Sequence, residues 1–413
     1  MAKSTKHHIT HFKRVEIKGY KSIKHLTVEF LPGLNIMIGK NNAGKTNFLD
    51  CLNDTLFLHQ RQKNSSSVSI EKTESNQAIS FSSATIEMVN SNQAVFTWRI
   101  NKPKSDKVVE SNKVLKDNDK RYLPEEKILY NGETVYDTSK LENGAYKRIN
   151  REIILEPLNL LPNEYETSKP VWTYVKFNLT NNLSFLQDPG YFIARRASGS
   201  EWNLEFSGTF FKYFSSFPLD SLFLTDTKRT GNDTKNKLLS SLKFAVKKEK
   251  INKFSPIQDF RLSKNINVFR DKEIIRIENL FIEFLVEGTW MPWSNLSDGT
   301  KRIFYLLFEV ARINQGVILI DEPELGIHPH QFYQLMLFLK EEAEQKQIIM
   351  ATHAPQTLDF ISPEELNRIF IASYDKKLGT QIRPLTEEQK EKAKHYMKNE
   401  FLRDYWLASD LEV

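Results

Sequence analysis

Residues 294–330 read SNLSDGTKRIFYLLFEVARINQGVILIDEPELGIHPH, and this stretch decides the fold. Leu296 to Arg302, LSDGTKR, is a tight glycine-containing turn that opens a helix. Apolar residues at Ile303, Leu306, Leu307, Val310 and Ile313, with polar breaks at Glu309 and Arg312, give Lys301 to Ile313 a helical period. Val317 to Ile320 is a short all-apolar run, the pattern of a parallel strand buried on both faces. It ends in Asp321-Glu322-Pro323. Adjacent carboxylates at the end of a buried strand are costly unless they serve a cation and a reaction. Asp321 is therefore expected to hold Mg²⁺, through water, and Glu322 to polarise an attacking water as general base. An acidic strand end is common by itself; a phosphate-binding loop elsewhere in the chain gives it meaning.

That loop lies near the start. Leu34 to Ile38, LNIMI, is a buried strand that runs into Gly39-Lys40-Asn41-Asn42-Ala43-Gly44-Lys45-Thr46, and Asn47 onward continues as a helix. This is a full G-x-x-x-x-G-K-[ST] between a strand and a helix. Its glycines let backbone N–H groups converge on a phosphate, and the helix N-terminus adds partial positive charge. Gly39, Asn41, Asn42, Ala43, Gly44, Lys45, Thr46 and Asn47 are the candidate nucleotide-binding residues. Lys45 is expected to reach the β- and γ-phosphates, and the Thr46 hydroxyl to ligate Mg²⁺ beside Asp321. Two alternating strands, Phe12 to Lys18 and Leu26 to Phe30, precede the loop, and Gly19 to Ser22 form the turn after the first. Lys21 and Ser22, on that turn, either contact phosphate or adenine or face solvent.

Bulk properties set the class. The chain has 413 residues, 40% hydrophobic and 27% charged, as in an ordinary globular protein of more than one lobe. Its 58 Lys and Arg against 52 Asp and Glu give a net charge of +6, which permits nucleic-acid contact without requiring it. One cysteine, Cys51, excludes an internal disulfide framework and suits a reducing cytoplasm. No apolar run approaches the roughly 18 residues of a membrane span, and the stretch MAKSTKHHITHFKR lacks the apolar segment of a signal peptide.

The middle of the chain is less legible. Ile79 to Val89 and Ala94 to Ile100 alternate as a hairpin in a meander, whereas Lys102 to Lys127 is highly charged and reads as an exposed excursion or a protein contact. Val171 to Asn178 reads as a strand. Gln187 either senses the γ-phosphate through the metal or is a surface glutamine, and Arg195 and Arg196 face either phosphate or solvent. Phe206 to Phe223 suggests a helical lobe, and Thr234 to Phe254 a basic helix with Lys247 and Lys248, either a nucleic-acid contact or a solvated face. Glu273 to Ile277 and Leu280 to Leu285 read as strands returning to the head. After the acidic strand, Gln331 to Gln345 is a helix and Gln347 to Met350 a third buried strand, ending at Ala351-Thr352-His353-Ala354-Pro355. His353, beside two other strand ends with phosphate chemistry, is a candidate to hydrogen-bond the γ-phosphate or the attacking water. Arg368 to Ala372 is a further strand, and Thr386 to Leu407 a charged helical tail.

In these motifs the chain resembles the ABC-type ATPase heads of the RecF, Rad50, SMC and OLD group, and looks most like the compact bacterial AAA15-type ATPases. GKNNAGKT is similar to the Walker A of that group, LSDGTKR to its signature loop, VILIDEPELGIHP to its Walker B and D-loop, and ATHAP to its His switch. The resemblance covers residues 12–52 and 290–372 well and the middle weakly. It implies an α/β P-loop ABC-ATPase head with a mixed sheet, an antiparallel β meander and a small helical lobe. The expected organisation is 1–60 and 286–375 as the two parts of the head, 61–200 as meander and charged insert, 201–285 as helical lobe and 376–413 as helical tail.

The resemblance further implies ATP and Mg²⁺, and a homodimer or higher oligomer in which two heads sandwich two ATP molecules. Ser297, Asp298 and Gly299 of one copy then face the γ-phosphate held by Lys45 of the other. Asp298 stands where transporter-type signatures commonly have glycine, and adds negative charge there. The acidic nuclease domain of OLD proteins has no counterpart, so a stand-alone head is expected. Such heads resemble the ATPase subunits of two-gene anti-phage systems, including PARIS-like, Septu-like and retron-associated ones. The expected function is an ATP-hydrolysing sensor or switch controlling a separate toxin or nuclease. A RecF-like repair ATPase on duplex DNA and a nucleotide-gated scaffold with little hydrolysis are the alternatives.

Overall fold

The computed structural model describes residues 9–60, 82–89, 93, 95–101, 125–137, 172–175, 190–196, 202–207, 248–262, 267–270, 274–280, 282–313 and 316–408. In chain order these form β1 (His11–Tyr20), β2 (Ile23–Glu29), β3 (Leu34–Ile38), α1 (Lys45–Gln60), β4 (Ser83–Val89), β5 (Val95–Asn101), β6 (Glu125–Tyr130), β7 (Glu133–Asp137) and β8 (Trp172–Val175). There follow β9 (Gly190–Arg196), β10 (Trp202–Ser207), α2 (Lys248–Phe254), β11 (Ile257–Leu262), β12 (Asn267–Arg270), β13 (Ile274–Leu280), β14 (Ile282–Val286) and β15 (Thr289–Pro292). The remainder is α3 (Asp298–Arg312), β16 (Val317–Asp321), α4 (Pro329–Glu342), β17 (Gln347–Thr352), β18 (Ile369–Asp375), β19 (Gly379–Pro384), α5 (Glu387–Tyr396) and α6 (Leu402–Ala408). The chain divides into two compact units, one of residues 1–175, 314–322 and 340–413, the other of residues 176–313 and 323–339.

The first unit is built on a 12-stranded sheet in the order β7-β6-β5-β4-β1-β2-β19-β18-β3-β17-β16-β8. At one end of it β18, β3, β17, β16 and β8 run parallel. β3, β16 and β17 are buried at every position, as their largely apolar sequences favour. The strands on the other side of β18 are antiparallel and alternate instead: Val15 and Ile17 of β1 are buried between exposed or half-buried neighbours. One continuous core joins them to Phe48, Leu49, Cys51 and Leu52 of α1. Two buried amides lock the start of β3 in place. Gln347 accepts from the Phe12 amide at 2.8 Å and donates to the carbonyls of Phe12 and Leu31, while Asn35 donates to the Leu31 and Gly33 carbonyls.

In the second unit β10-β9-β13-β12 form one antiparallel sheet and β11-β14-β15 another. Phe284 of β14, Trp293 and Phe304 of α3 meet pairwise with ring centroids 5.1–5.6 Å apart. This aromatic cluster fixes α3, whose side chains from Ile303 to Ala311 are all buried.

Several expectations change. α3 begins at Asp298, three residues early, because the Ser297 side chain caps it. Glu309, read as a polar break, is 5% exposed and belongs to the buried face. The charged excursion ends sooner than Lys127, since β6 starts at Glu125 and pairs with β7 through an Asn131-Gly132 turn in which both residues have positive φ. Asn-Gly is the preferred pair for such a tight hairpin. β13 runs on to Leu280 and β14 begins at Ile282, and both pair within the sheets of the second unit. Phe206 and Ser207 belong to a strand, β10, rather than a helix. Residues 208–223, Gln187, and the basic helix before Lys248 lie outside the described residues. β18 extends to Asp375, and β19, absent from the sequence reading, pairs with it. The C-terminal tail is two helices rather than one, broken between Tyr396 and Leu402.

Candidate active site

Strand register places the candidate residues along one edge of the first unit's sheet. Ile38, the last residue of β3, pairs with Thr352 of β17 and Ile371 of β18, and Asp321 of β16 pairs with Ala351. The residues that follow these ends, Gly39, His353 and Glu322, are therefore brought to the same edge, where open parallel sheets bind ligands.

The loop after β3 has the shape its glycines allow. Gly44 has φ +93, and a Cβ there would lie 1.9 Å from Thr380 Oγ1. A Cβ on Gly39 would lie 2.1 Å from the Ala372 carbonyl oxygen, so β18 packs directly on the loop's first residue. Asn42 also takes a positive φ of 68, which asparagine tolerates better than most residues. Phe48 N–H donates to the Gly44 carbonyl, and α1 starts on the loop. The Lys45 ammonium, 5% exposed, donates to the carbonyls of Gly39 and Lys40 at 2.7 and 3.0 Å, so its charge stays inside the loop. Gly39, Asn41, Asn42, Ala43, Gly44, Lys45, Thr46 and Asn47 are thus contiguous around one concavity, with Asn41 and Asn42 exposed and Ala43 to Lys45 buried.

Thr46 and Asp321 meet. The Thr46 hydroxyl lies 3.2 Å from both Asp321 carboxylate oxygens. A hydroxyl and a carboxylate side by side are hard oxygen donors of the kind Mg²⁺ takes when phosphates and waters supply the rest. Among the described residues there is no group of three or more His, Cys, Asp or Glu that would hold a metal unaided. The donor set therefore fits a phosphate-bound Mg²⁺ rather than a dedicated metal cage. Gln187, the candidate metal-sensing residue, lies outside the described residues.

Glu322 follows with φ 47, a left-handed conformation that a glutamate adopts at a cost. Its N–H donates to the Ala351 carbonyl at 2.8 Å, which holds the turn. Its Oε1 stands 3.7 Å from His353 Nδ1, and both side chains remain about a third exposed. His353 itself follows a buried Thr352 whose hydroxyl accepts from the Ala354 N–H at 2.9 Å.

The β1–β2 turn separates Lys21 from Ser22. The Lys21 ammonium pairs with Asp50 of α1 at 2.8 Å and lies 5.2 Å from the Tyr20 ring centroid, so its charge is directed to the helix flank. Ser22 turns the other way: its hydroxyl accepts from the Asn47 amide at 2.7 Å and lies 2.7 Å from Thr380 Oγ1. Thr380, on the unforeseen β19, was missed by the sequence reading, and nothing in its local sequence marks it.

In the second unit, Ser297 Oγ accepts from Thr300 N–H at 3.2 Å and caps α3. Ser297 and Asp298 are exposed, and the Asp298 carboxylate points to solvent beside Lys301 at 3.4 Å. A Cβ on Gly299 would stand 3.1 Å from the Gly326 carbonyl, so this turn packs closely on the one that follows Glu322 and Pro323.

Fold and motifs together define a P-loop ABC-type ATPase head of the RecF, Rad50 and SMC group. The chain belongs to the family described as "AAA domain, putative AbiEii toxin, Type IV TA system", whose model matches residues 34–359. It is 28% identical over 119 residues to the retron Vc95 probable ATPase of Vibrio cholerae, a match that spans 26% of this chain and 23% of that protein. It is 48% identical over 40 residues to the DNA replication and repair protein RecF of Streptococcus pyogenes, 10% of this chain and 11% of RecF. The chain therefore matches less than a quarter of the length of these curated relatives. Among solved structures, an SMC head domain from Pyrococcus furiosus, bound to the C-terminal domain of ScpA, superposes with a TM-score of 0.50 at 14% identity. That superposition covers 95% of this chain and all of the other, and it bears on the fold. Among the described residues no helix is long and apolar enough to cross a membrane.

Proposed function

We propose that this chain binds and hydrolyses ATP with Mg²⁺, and that two copies close on the nucleotide to switch a separate effector, a toxin or nuclease, in defence against phage. The observation that carries the catalytic part is the common sheet edge, where Lys45, the Thr46–Asp321 pair, Glu322 and His353 are gathered from three parallel strand ends. Lys45 and the loop amides bind the β- and γ-phosphates. Thr46 and Asp321 hold the cation, which when bound neutralises phosphate charge and orients the leaving group. Glu322 accepts the proton of the attacking water, and His353, within reach of Glu322, donates to the γ-phosphate oxygens or to that water. Ser297 and Gly299 complete the site from the second copy: α3 begins there, exposed, with its positive end available to an anion.

Support for the switch is the type IV TA system named in the family description, together with the likeness to a retron ATPase. A repair role has the RecF likeness in its favour, but over 40 residues only. Steady-state turnover tests the catalytic reading. Glu322→Gln should lower kcat by a factor of about 10²–10⁴ while MgATP binding persists, and Lys45→Ala should abolish binding. Turnover by Glu322→Gln equal to the wild type would leave only the scaffold reading. For the switch, the gene is expressed with its chromosomal neighbour in phage-challenged cells. Protection lost in Lys45→Ala supports it, and unchanged plaque counts with and without the wild-type pair oppose it.

A further inference from the structure

We propose that Thr380 is a positioning residue for the phosphate loop, fixing the Ser22 hydroxyl as a hydrogen-bond donor for a phosphate oxygen. The inference deepens the nucleotide reading and rests on it. Three segments far apart in sequence meet here: the β1–β2 turn, the first turn of α1 and β19. Asn47 Nδ2 donates to Ser22 Oγ at 2.7 Å, and Ser22 Oγ lies 2.7 Å from Thr380 Oγ1. The Thr380 N–H also donates to the Ser22 carbonyl at 2.9 Å, so the two residues are tied by backbone as well as side chain.

Counting protons assigns direction. A hydroxyl has one hydrogen to give and two lone pairs to receive. Thr380 is 0% exposed, and among the described residues its hydroxyl meets one acceptor, Ser22 Oγ. Were Ser22 to donate to Thr380, the Thr380 hydrogen would be buried without an acceptor, a costly arrangement. Thr380 is therefore the donor. Ser22 Oγ then receives two hydrogen bonds, from Asn47 and Thr380, and both its lone pairs are filled. Its own hydrogen is left for an acceptor outside the trio. Ser22 is only half-buried, and its oxygen lies 2.9 Å from where a Gly44 Cβ would stand, directly against the loop. Phosphate oxygens only accept, so a hydroxyl restricted to donation suits them and needs no reorientation when nucleotide arrives.

The test is MgATP affinity of the full chain, measured with thermal stability. Thr380→Val removes the donor and should weaken MgATP binding about tenfold, the share of one hydrogen bond. Thr380→Ser keeps the hydroxyl and should bind like the wild type. Ser22→Ala should lose about as much as Thr380→Val, and the double variant no more than Ser22→Ala alone, because Thr380 acts only through Ser22. A packing role would produce the opposite pattern, with Thr380→Ser impaired through loss of its methyl and the two losses multiplying. Either of those results, or wild-type affinity in Thr380→Val, overturns the inference. Lys45→Ala is measured alongside. If it keeps wild-type affinity, the nucleotide reading itself fails; if it loses affinity while Thr380→Val does not, only the role of Thr380 is refuted.

Discussion

Gly44→Ala is the most informative single perturbation of the loop. Two separate costs are written into that position. Its φ of +93 lies where side-chain-bearing residues rarely go, at a cost of about 1–2 kcal/mol. The added Cβ would also sit 1.9 Å from Thr380 Oγ1 and 2.8 Å from its Cγ2. Ordinary contact begins near 3.4 Å, so the neighbour must withdraw by about 1.5 Å. Thr380 cannot simply swing aside, since its hydroxyl and its backbone N–H are both bonded to Ser22. Forced overpacking of this kind costs about 1–3 kcal/mol. The sum is about 2–5 kcal/mol of lost stability. Urea denaturation of Gly44→Ala, Thr380→Ala and the double variant separates the two parts. Thr380→Ala removes the two nearest obstructing atoms and leaves Ser22 Oγ at 2.9 Å, so the double variant should recover most of the overpacking share and retain the φ share. A Gly44→Ala chain within about 0.5 kcal/mol of the wild type would refute the reasoning. So would a double variant as unstable as the sum of the single ones.

Three further outcomes are expected. Ser297→Arg should block ATP-dependent pairing of copies without weakening MgATP binding to one copy; sedimentation showing equal pairing with and without the substitution would count against the shared site. The Lys346 ammonium and Glu342 carboxylate form an ion pair with side chains 2% and 3% exposed, so Glu342→Ala should cost about 3–5 kcal/mol, whereas replacing both by methionine should be close to neutral in the same denaturation assay. Burial holds the His11 imidazole below its ordinary pKa of 6.5, outweighing the hydrogen bond to the Ile9 carbonyl that raises it. As pH falls through 6.5 the unfolded chain takes up this proton before the folded one, so stability declines toward lower pH, and His11→Asn should flatten that part of a melting-temperature profile.

Much of the centre of this protein is local in origin. LNIMI, VILID and QIIMAT are buried strands because short apolar runs dominate them, and their polar members, Asn35, Asp321, Gln347 and Thr352, sit at or near the strand ends where partners meet them. The loop GKNNAGKT announces its chemistry because its glycines, lysine and threonine need only a strand before them and a helix after. Side-chain period and turn chemistry act over a few residues, and one sequence is enough to read them. The Asn131-Gly132 turn is a local signal of the same kind, whereas the burial of Glu309 is not, because a helical period marks spacing and not exposure.

Tertiary structure alone decided which distant residues meet. That Thr46 stands 3.2 Å from Asp321 follows from the parallel register of β3, β17 and β16, which no short window contains. That Lys21 turns to Asp50 while Ser22 turns to Asn47 depends on where α1 lies beside the β1–β2 turn. Thr380 is the extreme case: it is separated from Ser22 by 358 positions and from the loop by most of the chain, and it owes its place to a hairpin whose second strand, β19, inserts between β18 and β2. Hydrogen bonds between side chains need angstrom-scale proximity and carry no periodic mark, so a sequence states which groups are available and the folded sheet states which of them touch.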